Sequence, residues 1–205
     1  MKTSAVVMNI SFPVQRTVVG VDVEGSTERN NVQRARIREA MYEVLEKSLV
    51  ASGITEEHRE PILDRGDGAI VFIQPVDALP KPLLVNTFVP ALRDALRTQE
   101  FRLRVAMHFG DVHYDSRGPF GEDIDLMVRL LDSPELKTRL KKSAEPLILG
   151  VTERFYRSVV KHGYDGIEAE TFLPLPRLRM GGQSYRGWVQ VPRPELTPIR
   201  ILTAM

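Results

Sequence analysis

Two apolar runs that meet an aspartate at one end constrain this chain more than any other feature. Residues 17–22 lead to Asp22 and on into Glu24-Gly25-Ser26-Thr27, and Gly66-Asp67-Gly68 leads into Ala69-Ile70-Val71-Phe72. Continuous apolar runs bounded by small residues read as buried strands. Were the two aspartates brought together unpaired, they would repel, and one would take up a proton. A bound divalent cation removes that conflict. Two Asp and a backbone carbonyl suit a hard cation with oxygen ligands, which commonly brings a nucleotide's phosphates with it.

The flanking pattern builds outward from these strands. After the strand over residues 16–22, a helix over residues 29–51 carries Ile37, Met41, Val44, Leu45 and Leu49 on one stripe, and Gly53 ends it. Residues 61–65 and 69–74 form a strand pair around Gly66-Asp67-Gly68, whose glycines allow the positive φ angles of a tight turn. A helix over residues 83–97 and a strand over residues 101–114 follow. A glycine-bearing loop then leads to a helix over residues 122–131, and Pro134 starts a second one to residue 142. A strand over residues 146–149, a helix capped by Thr152, and two strands near residues 171–178 and 185–191 complete the chain.

Strand–helix–strand–strand–helix–strand predicts an α+β fold: a ferredoxin-like antiparallel sheet with helices on one face, extended at its C-terminal end. A single domain is expected over residues 1–191, with residues 192–205 as a proline-bearing tail. The bulk numbers exclude several classes. Lys plus Arg number 28 and Asp plus Glu 27, so there is no global basic field for nucleic acid or an anionic membrane. Without cysteine there is no disulfide, thiolate zinc site or cysteine nucleophile. The first 14 residues lack the plan of a signal peptide, and no apolar run approaches ~20 residues, which predicts a cytoplasmic protein. The turn at Glu24 lacks the Gly-Lys-Ser/Thr ending of a P-loop.

The strand–Asp–small turn, the Gly-Asp-Gly hairpin, His108-Phe109-Gly110-Asp111-Val112 and the stretch from Gly121 to Arg129 and Leu130 stand in the order found in class III nucleotidyl cyclases. The resemblance covers residues 18–130 and continues through residues 147–160. It implies cyclisation of a nucleoside triphosphate to a 3′,5′-cyclic nucleotide with release of pyrophosphate, assisted by two divalent ions, Mn²⁺ or Mg²⁺. It further implies that Asp22, Asp67 and the Val23 carbonyl hold the metals, and that the amides of Glu24, Gly25, Ser26 and Thr27 hold phosphates. Arg129 corresponds to the arginine that stabilises the α-phosphate, and Asp125 to the ribose-orienting position. In that family a site takes its aspartates and its arginine from different subunits, which implies a homodimer.

Departures from the pattern bear on substrate. The candidate base-binding residues are Leu63, Arg65 and Gly118, and neither Leu63 nor Gly118 reads a purine by hydrogen bonding. Asp125 stands where asparagine is usual. The expected phosphate lysine has no counterpart, although Arg177 or Arg179 is placed to substitute. Small cyclases with such pockets resemble the standalone pyrimidine cyclases of bacterial antiphage signalling, whose cyclic UMP or cyclic CMP activates a separate effector. The alternatives are an adenylate or guanylate cyclase, a non-catalytic nucleotide-binding module, and another ferredoxin-like palm. Locally, Asp22 and Asp67 also read as turn residues, Asp125 and Arg129 as an i, i+4 ion pair, and residues 137–142 as a solvated helix face.

Overall fold

The computed structural model describes residues 12–191. The tail expected from residue 192 lies outside them. The first strand, β1 (Val14–Val23), pairs antiparallel on one side with β3 (Gly68–Ile73) and on the other with β4 (Leu103–Asp115). The short β2 (Leu63–Asp64) lies outside β3, and β5 (Gly118–Phe120) folds back on β4. Beyond β4 come β6 (Leu147–Thr152), β10 (Gly187–Gln190) and β7 (Phe172–Pro174); β8 (Leu178–Met180) and β9 (Gln183–Tyr185) form a separate hairpin.

Helix α1 (Asn31–Ala51) begins at Asn30, whose side chain accepts from the Gln33 amide while the Gln33 side chain accepts from Asn30, a reciprocal cap. It ends where Gly53 takes φ +76° and the Ile54 amide reaches back to the Leu49 carbonyl. The second helical segment starts as a wide π-type turn, Leu84–Phe88, and continues as α2 (Val89–Leu96). Pro90 sits in the first turn of α2, and its lack of an N–H accounts for the widened turn before it. Helix α3 (Glu122–Leu131) matches its expected limits; α4 (Pro134–Lys142) and α5 (Glu153–Ser158) are capped by Ser133 and Thr152.

The fold is α+β as expected, and the layering and direction of its sheet differ from the sequence reading in two ways. First, β4 and β6 run parallel, because the chain between them crosses over through α3 and α4 rather than turning back. Second, helices cover both faces of the sheet. Val19, Val21 and Val23 pack with Met41 and Leu45 of α1 and Leu92 of α2, whereas Val18 packs with Met127 and Leu130 of α3 and Leu136 of α4. A strand buried on both faces requires this arrangement. Gly20 lets α3 approach, since a Cβ there would lie 2.4 Å from Met127 Sδ. No helix among the described residues is long and apolar enough to cross a membrane.

Candidate active site

The register of β1 against β3 brings the two aspartates together. Asp22 faces Gly68, and the Asp67 carbonyl accepts from the Val23 amide at 3.0 Å. A Cβ on Gly68 would lie 2.4 Å from the Val21 carbonyl oxygen and 3.4 Å from Asp22 Oδ1, so this glycine is present for room. Gly66 supplies the left-handed turn, at φ +82°. Gly25 does the same after β1, at φ +65°, where the chain turns into the short helical turn Ser26–Glu28. The amides of Glu28 and Arg29 bond back to the carbonyls of Gly25 and Ser26. Those of Gly25, Ser26 and Thr27 precede the first of these two bonds, at the N-terminal end of a helical turn where spare donors are expected. The Glu24 amide is committed to the Arg102 carbonyl and its carboxylate to the Arg102 guanidinium at 2.6 Å, which removes Glu24 from the spare set.

A cavity of about 410 Å³ opens here, lined by Asp22, Gly25, Ser26, Thr27, Arg65 and Asp67. It also gathers residues the sequence reading missed. Arg104, nearly buried, pairs with Asp22, and Lys137 of α4 pairs with Asp132 at 3.3 Å at the cavity wall. Burial lowers the Arg104 pKa, and Asp132 opposes that shift. Lys137 thus faces solvent, as a charged helix face does, and also borders the cavity. Ser26 Oγ donates to Asp67 Oδ2.

The donor set suits a hard divalent cation. Asp22, Asp67 and the Val23 carbonyl offer oxygen only, and Asp22 Oδ2 completes no hydrogen bond of sound geometry despite its ion pair with Arg104. Among the described residues no three His, Cys, Asp or Glu side chains gather as a metal cluster, so ligand phosphates and water would fill the remaining positions.

The other candidates lie elsewhere in the single chain. Asp125 and Arg129 are exposed on α3 and form no ion pair with one another. Leu63 packs on the α3 side of the sheet against the same apolar cluster as Tyr114. Tyr114 donates to Glu60, which also pairs with Arg16 at 2.8 Å. Gly118 lies at the turn between β4 and β5, and Arg179 on β8; Leu63, Gly118 and Arg179 do not line the cavity. Trp188 stacks on Tyr156 at 3.6 Å, a structural role, and Tyr185 ties β9 to Glu122.

One buried network fixes the start of α3. His108 bridges Thr152 Oγ1 at 2.7 Å and Asp123 Oδ1 at 2.8 Å, and Asp123 Oδ2 accepts from the Asp111 amide at 2.6 Å. Burial pushes the Asp123 carboxyl up, but His108, that amide and Arg154 outweigh it and hold the pKa below its ordinary value.

Asp64 ties the Asp67 hairpin to α1. Its carboxylate grips the Arg38 guanidinium and accepts from the Gly66 amide at 2.6 Å, and these hold its pKa down at about 2 from an ordinary 3.8. The folded pKa lies below the unfolded one, so this stabilisation is present above about pH 4 and disappears as pH falls towards 2. The group is half exposed, so the gain is screened to under ~1 kcal/mol. The melting difference between wild type and Asp64→Asn is expected at pH 7 and to vanish near pH 2; a constant difference would contradict the pairing.

Neither a protein-family model nor a curated protein sequence matches the chain. Solved structures do. The chain is similar to an adenylate/guanylate cyclase/hydrolase from Silicibacter pomeroyi, at 16% identity and TM-score 0.60, over 90% of this chain and 99% of that one. It is similar to the adenylyl cyclase CyaB from P. aeruginosa, at 14% identity and TM-score 0.57, over 92% and 98%. It also resembles a bacterial light-regulated adenylyl cyclase at 12% identity and TM-score 0.56, over 87% of this chain and 52% of that one. Likeness at such identities establishes fold, and the chain has the α+β fold of class III adenylate/guanylate cyclase structures.

Proposed function

We propose that the protein is a nucleotidyl cyclase that converts a nucleoside triphosphate to a 3′,5′-cyclic nucleotide and pyrophosphate, with a pyrimidine as the favoured base. The observation that carries this reading is the register that sets Asp22 against Gly68, which brings both carboxylates to one turn beside a cation-lined cavity. Asp22, Asp67 and the Val23 carbonyl would hold the divalent ions. Those ions would lower the pKa of the ribose hydroxyl and neutralise charge on the phosphates. The amides of Gly25, Ser26 and Thr27, with Arg65, Arg104 and Lys137, orient the polyphosphate. The ribose 3′-oxygen then bonds to the α-phosphorus as the bond to the β-phosphate oxygen breaks. Pyrophosphate leaves with the electron pair, and the hydroxyl proton passes to solvent.

Arg129 and Asp125 are exposed on α3, which leaves them available to a partner subunit's cavity, and the likeness to class III cyclases supports a homodimer with two composite sites. Leu63 supplies an apolar wall with no purine-reading group. The product would act in the cytoplasm on a separate effector, as in antiphage signalling. A non-catalytic nucleotide-binding module is the second reading, favoured by the Asp22–Arg104 pair, in which an internal cation already faces one metal carboxylate. Incubation with ATP, GTP, CTP and UTP plus Mn²⁺, with products identified by mass spectrometry, tests both. Cyclic UMP or CMP is expected; cyclic AMP or GMP refutes the pyrimidine assignment, and no product from folded dimer refutes cyclisation. Leu63→Lys is expected to shift preference towards ATP, and an unchanged nucleotide profile removes Leu63 from the base pocket.

A further inference from the structure

A second cavity, of about 350 Å³, lies on the α1 side of the same turn. It shares Val23, Ser26, Thr27 and Asp67 with the first but is lined in addition by Arg29, Arg34 and Arg38. The state of these three arginines differs. Arg38 is matched by Asp64. Arg34 spends its Nε and Nη2 on the carbonyls of Arg29 and Thr27, at 3.0 and 3.1 Å, so it is fixed in place by neutral acceptors while its charge is uncompensated. Arg29 Nη1 is covered and finds no acceptor among the described residues. A covered guanidinium donor without a partner costs free energy unless a ligand supplies the acceptor.

We infer that this cavity is a phosphoanion site distinct from the cavity of Asp22 and Arg104. Two uncompensated guanidinium groups, one of them held in position beforehand, match the paired oxygens of a phosphate better than any neutral ligand. The shared wall of Ser26 and Thr27 lets a polyphosphate in particular reach both cavities, because phosphates on either side of the turn border the same residues. The ligand is either the terminal phosphates of a bound nucleotide or free pyrophosphate. Binding of this kind needs no turnover, so the inference stands whether or not the protein cyclises nucleotides.

Inorganic pyrophosphate titrated calorimetrically into the full chain in EDTA tests it. Arg29 makes no side-chain hydrogen bond or ion pair within the described residues, so Arg29→Gln breaks none, and the melting temperature of the free protein should not fall. The wild type is expected to bind pyrophosphate, and Arg29→Gln to weaken that binding at least ~10-fold. A non-cyclisable α,β-methylene nucleotide separates the two sources: displacement of pyrophosphate identifies the nucleotide's own phosphates, and simultaneous binding identifies free pyrophosphate. The inference is overturned if wild type binds no pyrophosphate, or if affinity survives Arg29→Gln and is lost only in Arg104→Gln.

Discussion

Asp67→Ala and Arg129→Ala proteins are each expected to lose cyclase activity, and an equal mixture of the two to recover about a quarter of the wild-type rate. The expectation rests on the proposed composite site. Asp67 lies at the cavity, whereas Arg129 is exposed on α3 and does not line that cavity. Random exchange makes half the dimers mixed, and each mixed dimer has one intact site of two. Loss of a preorganised donor such as Arg129 typically costs ~3 to 4 kcal/mol of barrier, which is about 10²- to 10³-fold in rate. Asp67→Ala keeps the backbone bond from the Val23 amide to the Asp67 carbonyl and gives up one side-chain bond, from Ser26 Oγ. Product formation in the mixture, compared with each variant alone, is the measurement. Mixed dimers shown to form yet without activity would contradict the shared site.

Gly110→Ala is expected to destabilise the fold by about 3 kcal/mol, a fall of roughly 6 to 12 °C in melting temperature. A Cβ at this position would lie 2.0 Å from Asp123 Oδ2 and 2.2 Å from its Cγ. Asp123 has no room to yield without breaking bonds, since its two oxygens are held by His108 and by the Asp111 amide. His108 is in turn bound to Thr152, whose hydroxyl caps α5. Displacing Asp123 leaves buried polar partners unpaired and frees the start of α3, the helix that carries Asp125 and Arg129. Urea unfolding checks the stability change, and wild-type stability in this variant would show that Asp123 relaxes without cost.

Much of this arrangement was legible in the residues themselves. The stripe from Met41 to Leu49 and the limits of α3 follow from helical periodicity. The run from Val18 to Val21 carried more information than the expected single layer of helices allowed for. An uninterrupted apolar strand must be covered on both faces, and it is. At the C-terminal end, two expected strands are four short ones, because Pro174, Pro176 and the Gly181-Gly182 turn interrupt the ladder.

For the candidate site, Asp22, Asp67 and the small-residue turn were readable because their residue types fit only a few local structures. Arg104 carries a signal in the sequence: a lone Arg within an otherwise buried strand requires a partner, and Asp22 is that partner. Lys137 and Arg29 had none. Each stands among other charged residues, and only the packing of α4 and of the turn before α1 selects the one that reaches a cavity wall.

The most direct measurement of the central claim is the stoichiometry of turnover with Mn²⁺, following cyclic nucleotide, pyrophosphate and inorganic phosphate together for wild type and Asp67→Asn. Cyclisation predicts equal amounts of cyclic nucleotide and pyrophosphate from wild type, and neither from a folded Asp67→Asn protein. Inorganic phosphate without a cyclic product, or cyclic product undiminished in Asp67→Asn, would contradict it.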